Sequence, residues 1–188
     1  MRTQNLMSLA VVAAGLLVAG RTLAGTMSTN GVALAPKAGQ TTSHQTGDDG
    51  TYQKGVERPN PRFIIQANTN CVLDNLTGLI WARNADLGGT MTWSDAIVYC
   101  ANLNFGGQTD WRVPNRRELT SLIDASEHHP ALPTNHPFTG VRNDYYWTDA
   151  GIWGGGKGNA QVVYMYNGYV DIYNTAKDNY VWPVRGGQ

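Results

Sequence analysis

Cysteine and charge are both scarce in this chain of 188 residues. Its only cysteines are Cys71 and Cys100, and their separation excludes a CxxC metal or redox motif. Charged residues make up 15% of the sequence, with 14 basic side chains against 14 acidic ones. Because there is no basic excess, the sequence predicts no binding to nucleic acid or to an anionic membrane surface.

Catalytic and metal-binding motifs are missing as well. The sequence has no HExxH pair, no glycine-rich phosphate loop after a strand and no nucleophile elbow. His128, His129 and His136 lie near Asp124 and Glu127, but their spacing fits no standard ligand set. Prolines flank these histidines, which favours solvated or capping roles in a loop. The sequence therefore predicts no catalytic residue and no cofactor.

Residues 1–24 predict a secretory signal peptide. Arg2 precedes an apolar run over residues 6–20, which is shorter than the roughly 20 residues of a membrane-spanning helix. Small residues follow, and the expected cleavage lies after Ala24. Export predicts a periplasmic, cell-surface or extracellular protein with no membrane span once the peptide is removed.

Export also bears on the two cysteines. An oxidising compartment favours a disulfide between Cys71 and Cys100. Closing a loop of this length would stabilise the fold by about 3–4 kcal/mol on the chain-entropy model. Two buried free thiols are the main alternative, and a redox or catalytic pair is a further one.

Residues 25–61 are rich in Gly, Thr, Ser, Gln and Pro, which predicts a linker or an N-terminal strap. Within them, GDDG (47–50) offers the carboxylates of Asp48 and Asp49 to a calcium ion. Asp144, much later in the chain, is a third candidate ligand. Acidic surface turns commonly bind nothing, so calcium stands as an alternative to no cofactor.

Two short helices are predicted in the middle of the chain. Thr92 is an N-cap for the first, and Trp93, Ala96, Ile97 and Cys100 recur on one inward face. The second helix is predicted over residues 116–124, within and beyond the stretch TDWRVPNRREL (109–119).

The start of that second helix has a local signature. Asn115 is a workable N-cap with Glu118 three residues later, and Leu119, Leu122 and Ile123 form an inward stripe. The residue before a proline avoids the helical region, so the proline ahead of Asn115 keeps the helix from starting earlier. The segment is therefore predicted to be a rigid corner that leads into a helix.

The rest of the chain is strand-like. Candidate strands are 62–66, 71–81, the NDYYWTD segment at 143–149, and 180–187. Residues 160–174 predict a hairpin, because apolar and polar residues alternate around Asn167-Gly168. Short helices among several antiparallel strands indicate the α+β class.

Six motifs in this order resemble the Lcl C-terminal-like family, named for the end domain of a collagen-like bacterial adhesin. They are DNLTGLIW (74–81), TWSDAIVYCANL (92–103), TDWRVPNRREL (109–119), HPFTGV (136–141), YYWTD (145–149) and YVWPVRGG (180–187). The resemblance implies a domain over 62–188, with 36–61 as a strap that belongs to it. The implied fold is C-type-lectin-like and related to formylglycine-generating enzymes. In it, two short helices pack on a twisted antiparallel sheet with a C-terminal β-hairpin.

The resemblance also implies internal scaffolding roles for one group of residues. A guanidinium at a corner can satisfy main-chain carbonyls and stack on an aromatic ring. The expected scaffold residues are Trp81, Trp93, Trp111, Arg112, Asn115, Glu118, Trp147, Trp182 and Arg185. Family members commonly carry a cysteine where this chain has Asp86, so the family's cysteine pairing is not transferred to Cys71.

Binding residues are expected in the second half, where tyrosines alternate with amides and carboxylates. Every second side chain of a strand points to the core, so only one set of these tyrosines can be exposed. The loop at 151–159 is expected to extend the recognition surface. The predicted ligand-contacting residues are Trp153, Lys157, Asn143, Asp144, Tyr145, Asn167, Tyr169 and Asp171.

These observations together predict an exported, non-enzymatic, adhesin-like binding domain. Its expected partner is a glycan or a protein on a cell surface or matrix, and an oligomer is compatible with the sequence. The Glu-Pro-Asn, Gln-Pro-Asp and Trp-Asn-Asp motifs of calcium-dependent lectins do not occur. One alternative is a structural or assembly subunit of an envelope complex or surface fibre. A remote alternative is a formylglycine-generating-type enzyme, whose reactive cysteine pair would lie later in the domain than Cys71 and Cys100.

Overall fold

The computed structural model describes residues 36–151 and 158–187, which contain three helices and nine strands. In chain order they are α1 (Asp49–Tyr52), β1 (Phe63–Ile65), β2 (Cys71–Asp74), β3 (Ile80–Ala82), β4 (Thr90–Met91), α2 (Trp93–Ala101), α3 (Arg116–Ser121), β5 (Tyr145–Gly151), β6 (Asn159–Tyr164), β7 (Tyr169–Asn174), β8 (Asn179–Tyr180) and β9 (Val184–Arg185). The predicted α+β class is confirmed. Within these residues, no helix combines the length and apolar character that crossing a bilayer requires.

The strands form two sheets, whereas the sequence predicted one. The first sheet has the order β1-β2-β3-β9 and is antiparallel throughout. The second has the order β4-β8-β5-β6-β7, and its β5–β8 pair is parallel. The expectation of a single antiparallel sheet is therefore wrong. Strand propensity is local, whereas pairing between β3 and β9 joins segments about a hundred residues apart.

Helix α2 begins where the sequence predicted. The Thr92 side chain accepts a hydrogen bond from the Asp95 N–H at 3.3 Å. Ala96 and Cys100 are fully buried, but Ile97 is 36% exposed, which corrects its predicted inward position. Successive helical residues turn by about 100°, so a stripe centred on Ala96 and Cys100 leaves Ile97 at its margin.

Helix α3 has the predicted capping box. The Asn115 side chain accepts from the Glu118 N–H at 2.9 Å, and Glu118 accepts from the Asn115 N–H at 2.8 Å. Leu119 and Leu122 are fully buried. The helix ends at Ser121, earlier than predicted, because the Asp124 N–H bonds to the Ala131 carbonyl instead of continuing the helical ladder.

Two apolar clusters occupy opposite faces of the second sheet. Tyr146 belongs to the first cluster, together with Leu119 of α3, whereas Trp147 belongs to the second, together with Ala96 of α2. Tyr146 and Trp147 are adjacent in β5 and point to opposite faces for that reason. The second sheet is thus covered by α3 on one side and by α2 on the other.

The predicted disulfide does not exist in this structure, in which Cys71 and Cys100 are both buried free thiols. Cys71 begins β2 in the first cluster, and its sulfur lies 3.6 Å from the Asn68 side-chain nitrogen. Cys100 enters the second cluster from α2. The pairing was predicted wrongly because the burial of each cysteine does not say which cluster it enters. The alternative of two buried thiols describes the structure.

The strap, residues 36–61, is attached to the rest of the domain over its described length. Its two arms meet at a bridge between Pro36 and Val56. Arg58 forms an ion pair with Asp124 and donates to the Ala38 carbonyl at 3.1 Å. The Ala38 carbonyl also accepts from the Ala125 N–H at 3.0 Å. These contacts hold the strap against the loop that follows α3.

Candidate functional site

Arg112 is partly exposed, and its guanidinium is bonded to groups of the domain itself. Its guanidinium donates two hydrogen bonds of 2.7 Å to Glu118 and a third of 2.9 Å to the Gly186 carbonyl. Its main chain pairs with Val184 in both directions, at 2.9 and 3.0 Å. The hydrogen bond to Glu118 raises the pKa of Arg112. The partners are a carboxylate and one carbonyl, and among the described residues no aromatic ring stacks on this guanidinium.

Arg185 has a related position at the end of the domain. It lies in β9 and donates to both carboxylate oxygens of Asp110, at 2.6 and 3.1 Å. That hydrogen bonding lowers the pKa of Asp110. The Trp111-Arg112 corner and the closing strand are thus joined through both arginines.

The predicted scaffold tryptophans are buried or tied to the main chain. Trp81, Trp147 and Trp182 are fully buried, and Trp111 is 3% exposed. Four indole N–H groups donate to main-chain carbonyls: Trp93 to Thr148, Trp111 to Phe105, Trp147 to Met91 and Trp182 to Ala82, at 2.8–3.1 Å. A buried indole donor that already has a partner packs the core and offers nothing to a ligand.

A row of stacked tyrosines forms the most distinctive surface feature of the second sheet. The tyrosine row consists of Tyr173, Tyr145, Tyr164 and Tyr166, in that spatial order. The ring centroids of neighbours are 4.5, 4.5 and 5.5 Å apart. All four side chains are half-buried. His129 continues the row, with its ring centroid 3.8 Å from that of Tyr166.

The hairpin predicted around Asn167-Gly168 creates this row. The register pairs Tyr145 with Tyr164 and Tyr164 with Tyr169, so residues from three strands reach the same face. The hairpin is confirmed, with a turn closed by the Gly168 N–H donating to the Tyr164 carbonyl at 2.8 Å. Gly168 has φ of 79°, a left-handed conformation that glycine adopts without strain.

Stacking determines which atoms of the row face solvent. Tyr145 and Tyr164 have nearly parallel planes, at 21°, and therefore cover each other's faces. Ring edges and hydroxyl groups are then the parts available to a ligand. A hydrogen bond with Tyr173 raises the pKa of Tyr145 to about 12, so its phenol stays neutral at physiological pH. A neutral phenol both donates and accepts hydrogen bonds.

Two predicted binding residues lie beside the row on β7. Tyr169 is 59% exposed, and among the described residues its ring contacts no other aromatic ring. Asp171 accepts from the Ile172 N–H through one oxygen, at 2.7 Å, and its second oxygen has no described partner. The strand register places Tyr145, Tyr169 and Asp171 on one face of the sheet.

The other predicted binding residues have different positions. Asp144 and Asn167 use a side-chain oxygen to accept from the N–H groups of Tyr145 and Tyr169, at 2.8 and 3.0 Å, so they shape turns. Asn143 is exposed just before β5. Trp153 and Lys157 lie outside the described residues.

The calcium candidates do not converge. Asp48 caps α1, and its carboxylate accepts from the main-chain N–H groups of His44, Gln45 and Thr51 at 2.7, 3.2 and 2.9 Å. Hydrogen bonding to the His44 N–H is the largest contribution to the strongly lowered pKa of Asp48. No three His, Cys, Asp or Glu side chains within residues 36–151 and 158–187 are arranged to hold a metal. The N-cap role of Asp48 was missed in the sequence, although an Asp before a short helical turn is a capping signal.

Three members of the tyrosine row were also missing from the predicted ligand-contacting set. The sequence shows only that aromatic and other residues alternate at Tyr164, Tyr166 and Tyr173. It does not indicate which of these rings contact each other. Pairing across the predicted turn would have placed Tyr164 opposite Tyr169. The contact between Tyr145 and Tyr173 had no such signal, since it joins β5 to β7 across β6.

Comparison with curated proteins finds no match for the chain. A family model described as the Lcl C-terminal domain matches residues 70–185. The matched region contains β2 to β9, the two longer helices and the tyrosine row, and it begins after the strap and β1. Because the match spans more than half of the sequence, the chain belongs to the Lcl C-terminal domain family.

Proposed function

We propose that this chain is an exported, non-enzymatic domain that binds an uncharged glycan along the tyrosine row, with Tyr169 and Asp171 as flanking contacts. The observation that carries this function is the continuous row of four half-buried tyrosine rings in contact, beside a fifth ring that is exposed. Export rests on the signal peptide predicted from residues 1–24. The role matches the adhesin-like function expected from the family resemblance.

The chemistry of the row suits a sugar chain. A sugar presents C–H groups and hydroxyls, and the row presents apolar ring edges and phenol hydroxyls. Tyrosine offers large contact area with few rotatable bonds, so little conformational entropy is lost on binding. Tyr169 adds an open ring face for one sugar unit, and the free oxygen of Asp171 can accept from sugar hydroxyls.

Charge favours an uncharged glycan over a sulfated one. Asp171 is the only residue of the proposed site with a formal charge, and that charge is negative. A sulfate or carboxylate placed beside it would be repelled without a compensating cation. Neutral hydroxyls, in contrast, form charge-assisted hydrogen bonds with a carboxylate.

Two further features support a binding role and not a catalytic one. Burial raises the pKa of Cys100 to about 12, so the thiolate required by formylglycine-type chemistry is disfavoured at neutral pH. Cys71 is 2% exposed and lies in the other cluster. A C-type-lectin-like arrangement is part of the proposed function. It is supported by α2 and α3 packing on opposite faces of one sheet and by the β3–β9 pairing that brings the two ends of the domain together.

Glycan-array binding of the chain without residues 1–24, with and without calcium, tests this function. Tyr169→Ala and Asp171→Asn are expected to weaken binding of a positive neutral glycan at least tenfold. Ile172→Ala is the matched control, because Ile172 is 55% exposed on the same strand but points to the opposite face. Retained binding in the first two variants, or equal loss in the control, contradicts a site at the row.

Trp153→Ala is a further variant for the same binding experiment, because the sequence predicts Trp153 as a ligand contact. Loss of binding in this variant extends the site into the segment between β5 and β6. Absence of any glycan signal from the wild-type chain, together with co-purification in a large envelope assembly, favours the structural-subunit alternative instead.

A further inference from the structure

Strand β1 forms an open edge of the first sheet. Its register with β2 pairs Phe63 with Asp74, Ile64 with Leu73 and Ile65 with Val72. The same register continues at both ends, where the Gln66 N–H donates to the Cys71 carbonyl and the Arg62 carbonyl accepts from the Asn75 N–H, at 2.9 and 2.8 Å.

Those two terminal bonds determine which groups face outward. In an antiparallel ladder, alternate residues of a strand bond to the partner, so Arg62, Ile64 and Gln66 face β2. The N–H and C=O groups of Phe63 and Ile65 therefore point away from β2. No described residue forms a hydrogen bond with these groups at the edge. Their spacing, two residues apart, is that of an incoming β-strand.

A groove of about 630 Å³ runs beside this edge. β1 and the preceding Asn60-Pro61 border it, and the loop containing Pro133 and Pro137 borders it as well. Ile64 and Ile65, two adjacent large apolar side chains, are 40% and 41% exposed. The groove thus combines apolar walls with an unpaired main-chain edge.

Arg62 lines the same groove and has an unsatisfied donor. Its Nε and Nη2 bond to the two oxygens of Asp74, at 3.1 and 3.0 Å, and Nη2 also donates to the Ser121 carbonyl at 2.6 Å. Its Nη1 is buried with no hydrogen-bond partner, and the whole residue is only 8% exposed. A buried donor left unpaired destabilises the structure, so an acceptor that reaches this atom would be favoured.

We propose that the β1 groove binds an extended peptide segment of a partner protein by strand addition. Phe63 and Ile65 would supply main-chain hydrogen bonds, and Arg62 Nη1 would donate to a carbonyl of the segment. Asp74 already neutralises Arg62, so the groove offers a donor without net charge, which suits a peptide carbonyl more than an anion. Only an extended polypeptide offers donors and acceptors in the repeat that this edge requires.

A partner segment fits this groove better than a second copy of the chain. β1 is three residues long, and pairing two such strands would bury far less than the roughly 1,200 Å² of a stable interface. The 133–137 loop also borders the groove, so the edge strand lies in a recess and not on an open flat sheet. This site is separate from the tyrosine row and does not depend on glycan binding.

Selection of peptides from a displayed random octapeptide library on the wild-type chain provides the first test. Selected peptides are expected to bind Ile65→Val as tightly as wild type and Ile65→Pro at least tenfold more weakly. Proline removes the outward N–H of Ile65 without removing a bond to β2, as edge strands tolerate. Enriched peptides that bind the proline variant with unchanged affinity overturn the proposal, and so does a failure to enrich any peptide.

A second test uses the wild-type chain, so its result holds even if the proline variant fails to fold. An enriched peptide is synthesised in two versions. One version carries N-methyl groups on its odd-numbered amides and the other on its even-numbered amides. One version is expected to lose binding and the other to keep it, because strand addition uses only one edge of the peptide. Peptide should also slow amide hydrogen exchange of Phe63 and Ile65 at least tenfold. The proposal of a partner segment is refuted if both methylated peptides bind equally or if amide exchange is unchanged. It is also refuted if a second copy of the chain occupies the edge.

Discussion

Arg112 and Glu118 form a two-bond ion pair, with both nitrogen–oxygen distances at 2.7 Å. Glu118 also completes the capping box of α3 through the Asn115 N–H. Arg112 in turn reaches the Gly186 carbonyl near the end of the domain. One carboxylate thus connects a helix start, a corner and the closing strand.

Replacing Glu118 should weaken this connection measurably. Glu118→Gln removes the charge that both Arg112 bonds use and should lower the free energy of unfolding by about 1 kcal/mol, since Arg112 is partly exposed. Urea unfolding monitored by tryptophan fluorescence measures the change. Arg117→Gln is the matched control, because Arg117 is exposed on the same helix and its side chain forms no described hydrogen bond or ion pair. Equal effects of the two substitutions would show that the ion pair contributes nothing.

The same pair predicts a pH dependence. Burial acts to raise the pKa of Glu118, but hydrogen bonds from Arg112 and the Asn115 N–H outweigh it and lower the pKa below its ordinary 4.5. A lowered folded-state pKa stabilises the protein above that ordinary value, and the contribution is lost as the pH falls through the folded pKa. The stability difference between wild type and Glu118→Gln should therefore shrink from pH about 7 to pH about 3. A constant difference across that range contradicts this assignment.

The attachment of the strap depends on a close approach at Gly39. Gly39 has φ of 101°, and a Cβ atom there would overlap the Asp124 carboxylate. Gly39→Ala should release the strap and make it sensitive to limited proteolysis. Gly107→Ala is the control, because Gly107 also has positive φ, of 74°, but nothing lies within 4 Å of its added Cβ. The control introduces backbone strain of about 1–2 kcal/mol without a steric overlap, so its strap should stay resistant to the protease. Equal protease sensitivity in the two variants argues against the contact.

The two cysteines should behave as buried thiols. Iodoacetamide is expected to modify neither Cys71 nor Cys100 in the folded protein, because both are buried and burial raises the pKa of Cys100 to about 12. In denaturant without reductant, mass spectrometry should find both cysteines alkylated. A denatured, unreduced protein that takes up no label contains the disulfide instead.

Several features of the fold could be predicted because their causes lie within a few residues. The N-caps at Thr92 and Asn115 need only a side chain and an N–H three residues later. The hairpin needs only the alternation around Asn167-Gly168. Local patterns do not predict the partner of Asp86. It forms an ion pair through two hydrogen bonds with Arg142, 56 residues away, at 2.9 and 2.7 Å.

The candidate site was predictable to a similar extent. Tyr145, Tyr169 and Asp171 were identified because aromatic and polar residues alternate in strands. The ring contact between Tyr145 and Tyr173 could not be predicted, since it requires β6 to lie between β5 and β7. The open edge at Phe63 and Ile65 could not be predicted either, because the pairing of the other strands determines which strand lies at the edge of a sheet.

By itself, the sequence determined the α+β class, the two principal helix starts, the hairpin and the family of this chain, all of which arise from short-range patterns or ordered motifs. Only the tertiary structure decided that there are two sheets, that Cys71 and Cys100 enter different clusters, and that four tyrosines share one face. Those outcomes depend on strand pairing and packing between distant segments. Their free energy is a property of the assembled core and cannot be read from any one stretch of residues.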